Sequence, residues 1–179
     1  MKHIPNILTL LRVILVPFFI YYFTQGQLML AFSLFIIASV TDYFDGYLAR
    51  KYNVISNFGK IMDPLADKLL VLSALALLSF GSHNYLSIWI FIIITLRELV
   101  ITILRDIYKK KKIFMAANNW GKIKTVTQMV GLTLSLFLLA ININLADYLL
   151  YLNIYFWGVA IVTILSGWSY LKNMKELFN

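Results

Sequence analysis

The sequence predicts an all-α integral membrane protein, a bundle of six transmembrane helices with both termini in the cytoplasm. Three observations predict this fold. Of the 179 residues, 61% are apolar and only 13% are charged, and the mean hydropathy is +0.80. A soluble domain carries about 45–50% apolar and about 25% charged residues, so this chain lacks the polar surface that water requires. The other two observations are six apolar stretches of bilayer length and a one-sided distribution of lysine.

The apolar stretches follow one another along the chain, separated by short polar segments. Because a span takes roughly 20 residues, six spans account for about 120 residues and leave only loops and ends. We therefore expect a single membrane domain over residues 1–179. The absence of Cys excludes disulfide frameworks and thiolate sites. The expected spans are Ile7–Phe23, Leu28–Leu48, Ile61–Phe80, Leu86–Tyr108, Val126–Ile143 and Leu149–Leu171.

Lysine and arginine orient the predicted bundle. The connections after spans one, three and five, at residues 24–27, 81–85 and 142–148, contain neither residue type. The other connections contain many lysines, including Lys51 and the run Lys109–Lys112. By the positive-inside rule, the lysine-rich connections and both termini face the cytoplasm. We expect the run Lys109–Lys112 to anchor this inner face on anionic lipid.

Four aspartates lie within or at the ends of spans two and three, where an unpaired charge costs about 2.5–3.5 kcal/mol on insertion scales. Asp42 and Asp45 are about 60° apart on one helix face. Asp63 and Asp67 are about 40° apart on the next helix. A hairpin through the linker Lys51–Lys60 brings the two faces together. Four carboxylates from two helices form an oxygen-only site, which favours a pair of Mg²⁺ ions, with Mn²⁺ as the alternative.

Small and cationic residues surround these aspartates. Gly46 and Ala49 leave one helix face free of bulk, so that a ligand can approach the backbone. Arg50 and Lys51 follow at the inner end, and Gly59 precedes the third span. Hard metal ions, small side chains and cations together suit a pyrophosphate. The alternative interpretation is that the aspartates pair with neighbouring lysine and arginine side chains as a structural ion network.

The segment from Asp42 to Arg50, DYFDGYLAR, together with Gly59, Asp63 and Asp67, resembles the signature of the CDP-alcohol phosphotransferase family. That signature reads D-x-x-D-G-x-x-A-R and, after eight residues, G-x-x-x-D-x-x-x-D. Every fixed position is present. The resemblance covers the whole chain, since six spans with cytoplasmic ends are the family's architecture. It implies a membrane-bound transferase that joins a CDP-activated lipid or alcohol to an alcohol acceptor and releases CMP, and it implies a homodimer.

The resemblance also implies a role for each position of the signature. The metal ligands would be Asp42, Asp45, Asp63 and Asp67. The nucleotide-binding residues would be Gly46, Ala49, Arg50 and Gly59. Asp67 would also act as general base toward the acceptor hydroxyl. Metal ions about 3.5–4 Å apart suit a displacement at phosphorus in any protein, because they stabilise both the attacking and the leaving oxygen. Since no motif positions a lysine or serine nucleophile, we expect direct displacement.

Cations inside the apolar stretches predict an acceptor that carries a phosphate. Arg97 and Arg105 are about 80° apart on span four. Only two carboxylates, Glu98 and Asp106, are near them in the sequence. An arginine in a span must meet an anion or water, so the excess positive charge indicates a phosphate. The other candidates for this acceptor site are Lys122, Lys124, Arg12, Asn6 and Thr9.

The strings PNILTLLR and GKIKT resemble those of bacterial family members whose acceptor is sn-glycerol 3-phosphate. The resemblance implies transfer of the phosphatidyl group of CDP-diacylglycerol to that acceptor, giving phosphatidylglycerol phosphate in phospholipid biosynthesis. Inositol phosphate would need similar cations, and serine is a further alternative acceptor. Arg12 has an alternative role as well, which is to extend toward the inner membrane interface.

Two other classes of protein compete with the enzyme. A cation transporter would distribute polar groups across the whole membrane depth, whereas here they are concentrated at the inner ends of spans two and three. A lipid-binding scaffold predicts that the substitution Asp63→Asn leaves function intact, whereas the enzyme predicts loss of turnover. In a soluble chain the net charge of +8 would suggest nucleic acid, which we do not expect here.

Overall fold

A computed structural model describes the backbone of residues 4–51, 57–81, 84–110, 119–143 and 145–175. Side chains are described for residues 9–42, 65–66, 68–81, 84–105, 107–108, 121–143 and 147–168. These parts of the chain contain six α-helices, one 3₁₀ helix at Leu145–Tyr148 and no strand. The prediction of six helices in an all-α chain is thereby confirmed. The helices are α1 (Ile4–Thr24), α2 (Leu28–Lys51), α3 (Asn57–Phe80), α4 (Ile88–Lys110), α5 (Asn119–Ala140) and α6 (Leu149–Lys175).

The helix ends differ from the predicted spans mainly where the sequence is polar. Helix α5 begins at Asn119 rather than Val126 and ends at Ala140 rather than Ile143. The predicted spans followed apolar character, whereas helical hydrogen bonds continue through polar residues such as lysine and glutamine, which are good helix formers. As a consequence, Lys122 and Lys124 lie within the first two turns of α5.

The helices pack into one bundle with a continuous apolar core. Helix α1 packs along α2 and also contacts α3, α2 also contacts α5, and α6 packs against α4 and α5. Phe19 and Phe35 join α1 to α2, with ring centroids 5.8 Å apart. Ala31 and Ala38 are fully buried on α2, and such small side chains allow neighbouring helices to approach closely. Other fully buried core residues are Ala74, Leu75, Leu78, Ile90, Ile94, Leu132 and Phe156.

A close contact joins α5 to α6. A Cβ atom added at Gly131 would lie 2.5 Å from Cε1 of Tyr155, so the aromatic ring occupies the space that any side chain would need. The Tyr155 hydroxyl donates a hydrogen bond to the main-chain oxygen of Thr127 at 2.8 Å. Glycine at position 131 is therefore required by packing.

Asn153 connects the start of α6 to the segment between α3 and α4. Its Nδ2 donates to the main-chain oxygens of Tyr85 at 3.1 Å and Leu149 at 2.8 Å. Its Oδ1 accepts a hydrogen bond from the main-chain nitrogen of Ser87 at 2.9 Å. The amide thus satisfies backbone groups in two parts of the chain.

Among the described residues, large apolar side chains lie on the outside of the bundle as well as in its core. Trp89 is 62% exposed, and Tyr151 and Trp168 are each 70% exposed. Two stretches, Gly121–Ala140 and Leu149–Trp168, are long and apolar enough to cross a membrane, and less than half of each is buried inside the chain. Shorter apolar stretches are Thr9–Thr24, Leu28–Asp42 and Lys68–Phe80. A large apolar exterior of this kind generally marks a surface that contacts lipid or protein.

Candidate active site

The signature aspartates are carried by α2 and α3, which contact each other. Asp42 is the last residue of α2 whose side chain the structure describes. Its Oδ1 lies 2.6 Å from Nη1 of Arg12 on α1. The remaining signature residues belong to the helical backbone, but their side chains lie outside the described residues, and the same is true of Asn6 on α1. These signature residues are Asp45, Gly46, Ala49, Arg50, Gly59, Asp63 and Asp67.

Arg12 is fully buried among the described helices, and its extension toward the inner interface stays a prediction. The sequence placed Arg12 in the acceptor site, whereas the structure pairs it with the first aspartate of the signature. A buried guanidinium requires a counter-charge, because the energetic cost of removing it from water is several kcal/mol. Thr9, one turn earlier on α1, is also fully buried. The ion pair with Asp42 shows that this part of α1 packs against the C-terminal half of α2.

The chemistry of the signature residues fits a hard divalent ion. Carboxylate oxygens are the protein ligands that Mg²⁺ prefers, and the signature supplies four of them on two helices in contact. The Asp42 side chain is 46% exposed, so its carboxylate is accessible from solvent as well as from Arg12. Among the side chains that the structure describes, no three acidic or histidine residues form a metal-binding group. The metal therefore stays a prediction.

A second polar cluster lies between α4, α5 and α6. Glu98 on α4 uses the same carboxylate oxygen, Oε1, to accept hydrogen bonds from Nη1 of Arg97 at 2.9 Å and from Nζ of Lys124 on α5. Arg97 also contacts α6, since its Nε donates to the main-chain oxygen of Thr163 at 3.1 Å and its Nη2 donates to Oγ of Ser166. We call these five residues the Glu98 cluster.

The Glu98 cluster is nearly closed to solvent. The side chains of Arg97 and Glu98 are each 12% exposed, and that of Lys124 is 9% exposed. Two cations meet one carboxylate, so these three side chains have a net charge of +1. Charge in such surroundings is screened much less than on an exposed surface, and it therefore attracts an anion more strongly.

Helix α3 is tied to α4 close to the Glu98 cluster. Nζ of Lys68 donates a hydrogen bond to Oγ1 of Thr102, which in turn donates to the main-chain oxygen of Glu98 at 2.6 Å. Lys68 directly follows Asp67 in the sequence. The end of the signature and the Glu98 cluster are thus connected through one turn of α4.

The structure brings together only part of the predicted acceptor site. Arg97 and Lys124 meet at Glu98, whereas Arg105 and Lys122 have exposed side chains. Sequence reasoning considered Glu98 only as a nearby negative charge. A carboxylate beside an arginine inside an apolar stretch was a visible signal for a polar cluster. No sequence signal connected it to Lys124, which lies 26 residues further along the chain.

Comparison with known proteins gives one consistent family. The CDP-alcohol phosphatidyltransferase family matches residues 2–168. A CDP-diacylglycerol–glycerol-3-phosphate 3-phosphatidyltransferase of Rickettsia typhi is 36% identical over 185 residues, covering 99% of this chain and 100% of the relative. Proteins with the same name from Bacillus subtilis and Escherichia coli are each 37% identical, covering 99% and 95% of this chain and 98% and 93% of their own lengths. The family match covers most of the chain and the relatives align with it almost end to end, so the chain belongs to the CDP-alcohol phosphatidyltransferase family.

Proposed function

We propose that this protein transfers the phosphatidyl group of CDP-diacylglycerol to sn-glycerol 3-phosphate, giving phosphatidylglycerol phosphate and CMP in phospholipid biosynthesis. The observation that carries this proposal is the complete signature, Asp42 to Asp67, in a chain that aligns almost end to end with relatives named for this reaction. The relatives' names specify both the lipid donor and the acceptor.

The Glu98 cluster supports an acceptor that carries a phosphate. Its three charged side chains are nearly buried and have an excess of one positive charge. Arginine binds phosphate through paired donors, and lysine attracts it as a compact charge. Serine has no phosphate and would leave this charge unbalanced. Inositol phosphate would satisfy the same cations, and the names of the relatives favour glycerol 3-phosphate over it.

The lipid donor would bind at the signature aspartates. Asp42, Asp45, Asp63 and Asp67 would hold two Mg²⁺ ions, with Mn²⁺ as the alternative, which would supply positive charge to neutralise the donor's diphosphate. The Arg12 guanidinium, 2.6 Å from Asp42, limits the orientations of that carboxylate. The nucleotide would lie along the face that Gly46 and Ala49 keep free of bulk, with Arg50 and Gly59 completing its site.

The proposed reaction is a direct displacement at phosphorus. The acceptor hydroxyl oxygen forms a bond to the phosphorus that carries diacylglycerol, while the bond from this phosphorus to the bridging oxygen of CMP breaks. CMP leaves with that oxygen. The hydroxyl proton passes to the Asp67 carboxylate, which acts as general base. The cations of the Glu98 cluster hold the acceptor phosphate and thereby orient the attacking hydroxyl.

We further propose that residues 1–179 form one multi-pass domain of the cytoplasmic membrane, with the active site toward the cytoplasm. The apolar exterior, the two helices long enough to span and the one-sided lysines support this arrangement. The run Lys109–Lys112 would contact anionic lipid. Assembly as a homodimer stays a prediction from the family resemblance.

An acceptor screen tests the proposed reaction. Purified protein in lipid receives CDP-diacylglycerol and Mg²⁺ together with glycerol 3-phosphate, serine, inositol or inositol phosphate, and released CMP is measured. We expect CMP only with glycerol 3-phosphate. Turnover only with another acceptor would overturn the acceptor assignment. Absence of CMP release with every acceptor would overturn the enzyme and favour a transporter or scaffold.

The substitution Asp63→Asn tests whether the signature carries the activity. We expect turnover to fall at least about a hundredfold, because the variant loses one of four charged oxygen ligands at the donor site. The matched control is Asp147→Asn, which changes an exposed aspartate of the 3₁₀ helix outside the signature. The control should keep full turnover, and both variants should keep the thermal stability of the unsubstituted protein. Full activity of Asp63→Asn would contradict the proposal.

A further inference from the structure

We propose that Glu98 is a positioning residue of the acceptor site, whose carboxylate holds Arg97 and Lys124 together so that both cations bind the acceptor phosphate. This inference deepens the proposed function and rests on it. It concerns a residue that does not touch substrate, because a carboxylate repels a phosphate. Glu98 acts through the two cations that it holds.

The Glu98 carboxylate joins two cations from different helices. The carboxylate oxygen Oε1 accepts from Arg97 and Lys124 at the same time. These cations come from different helices, α4 and α5, and like charges this close repel each other. Without the carboxylate between them, Arg97 would keep only its contacts with α6, and Lys124 would lose the anion that holds it beside Arg97. Glu98 therefore determines where on the bundle the two positive charges meet.

The contacts of Arg97 with α6 fix the orientation of its guanidinium group. Each guanidinium nitrogen donates a hydrogen bond. Nε donates to the main-chain oxygen of Thr163, Nη1 to the Glu98 carboxylate and Nη2 to the Ser166 hydroxyl. The guanidinium plane is thereby oriented from three sides. A guanidinium fixed in this way loses little conformational entropy when it binds a phosphate. The fixed, nearly buried cations of the Glu98 cluster therefore form a better preorganised anion site than a solvent-exposed pair of charges would.

Two hydrogen bonds link α3 to the Glu98 cluster. Lys68, next to Asp67, contacts Thr102, which contacts the main chain of Glu98. Glycerol 3-phosphate is a short molecule, so its phosphate and its attacking hydroxyl must bind close to each other. The cluster lies beside the helix that carries the proposed general base, which is the arrangement that a short acceptor requires.

Steady-state kinetics of Glu98→Gln and Glu98→Asp, in full-length protein in lipid, test the inference. We expect Glu98→Gln to raise the KM for glycerol 3-phosphate about tenfold or more, since a charged hydrogen-bond partner is typically worth that factor. The KM for CDP-diacylglycerol should change less than about twofold. Glu98→Asp keeps the charge on a shorter side chain, and we expect an intermediate KM for the acceptor. An unchanged acceptor KM in Glu98→Gln would overturn the inference.

Two further variants separate positioning from a general effect on folding. Asn153→Ala removes polar contacts at the other end of α6 and should lower thermal stability while leaving the acceptor KM unchanged. The double variant Glu98→Gln/Lys124→Met should raise the acceptor KM by less than the product of the single effects, because Glu98 acts through Lys124. Independent, multiplying effects would overturn the inference. So would a Glu98→Gln variant that raises both KM values in proportion to its loss of stability.

Ser166→Ala keeps all charges and removes one partner of Arg97, so it tests the inference even if Glu98→Gln fails to fold. We expect a rise of a few fold in the acceptor KM, and an unchanged value would count against the cluster. The unsubstituted protein separates the two proposals. If the unsubstituted protein transfers the phosphatidyl group to glycerol 3-phosphate, and Glu98→Gln and Ser166→Ala both keep its acceptor KM, only the positioning role fails. If it uses no phosphorylated acceptor, the proposed function fails and the positioning role fails with it.

Discussion

At the scale of single residues, the pair Arg12–Asp42 joins folding to the candidate site. Arg12 is fully buried and Asp42 is half exposed, with 2.6 Å between Nη1 and Oδ1. The same aspartate begins the family signature. A side chain that neutralises a buried arginine is therefore also a proposed metal ligand, and substitution of either residue will affect both stability and activity.

The substitution Arg12→Met should lower the free energy of unfolding by about 1–3 kcal/mol, which is less than for a fully buried pair because Asp42 is half exposed. The double variant Arg12→Met/Asp42→Asn should recover part of this loss, since neither charge is then left without its partner. Denaturation of the purified variants measures both values. A double variant whose loss equals the sum of the two single losses would show that the pair does not contribute as a pair.

The signature was recognisable because it follows a local sequence pattern, and the roles of its residues stay predictions. The ends of the signature, Asp42 and Asp67, are 25 residues apart, and the apolar stretches that contain its aspartates predicted two helices, which the structure brings into contact. The partners of Arg12 and Lys124 were not predictable, because they lie 30 and 26 residues away and depend on how helices pack. Periodicity determines a helix face but not the residue that faces it.

At the scale of helices, apolar stretches predicted six elements but not their ends. Helix α5 begins at Asn119, seven residues before Val126, where the predicted span begins. Lys122 and Lys124 therefore belong to the helix. Hydropathy falls where a helix leaves apolar surroundings. The helix itself continues for as long as its backbone hydrogen bonds do, and these also form between polar residues. This extension is what brings Lys124 to the Glu98 cluster.

The contact between α5 and α6 predicts opposite results for two glycines. Gly131→Ala places a methyl group where the Tyr155 ring lies, so we expect the free energy of unfolding to fall by about 1–3 kcal/mol. Gly158→Ala is the matched control, because a Cβ at Gly158 has no atom within 4 Å and alanine favours the helix. The control should leave stability unchanged or raise it by up to about 1 kcal/mol. Equal losses for both variants would contradict the described packing.

At the scale of the whole molecule, the proposed orientation can be measured directly because the chain contains no cysteine. Gln25→Cys lies in the connection after α1, and Asn53→Cys lies in the connection between α2 and α3. A membrane-impermeant maleimide should label Gln25→Cys in intact cells and Asn53→Cys only after permeabilisation. Labelling of Asn53→Cys in intact cells would reverse the orientation. Recovery of the protein in the soluble fraction would contradict the membrane domain itself.

The Tyr155 side chain has one more consequence for the molecule. Its ring packs against Gly131, and its hydroxyl donates a hydrogen bond to the main-chain oxygen of Thr127, one turn earlier on α5. Sliding α6 along α5 by one helical turn, about 5.4 Å, would break both contacts together. Ser166 on α6 and Lys124 on α5 therefore keep their relative positions along the two helices, and thermal sliding of one helix on the other does not separate the two sides of the proposed anion site.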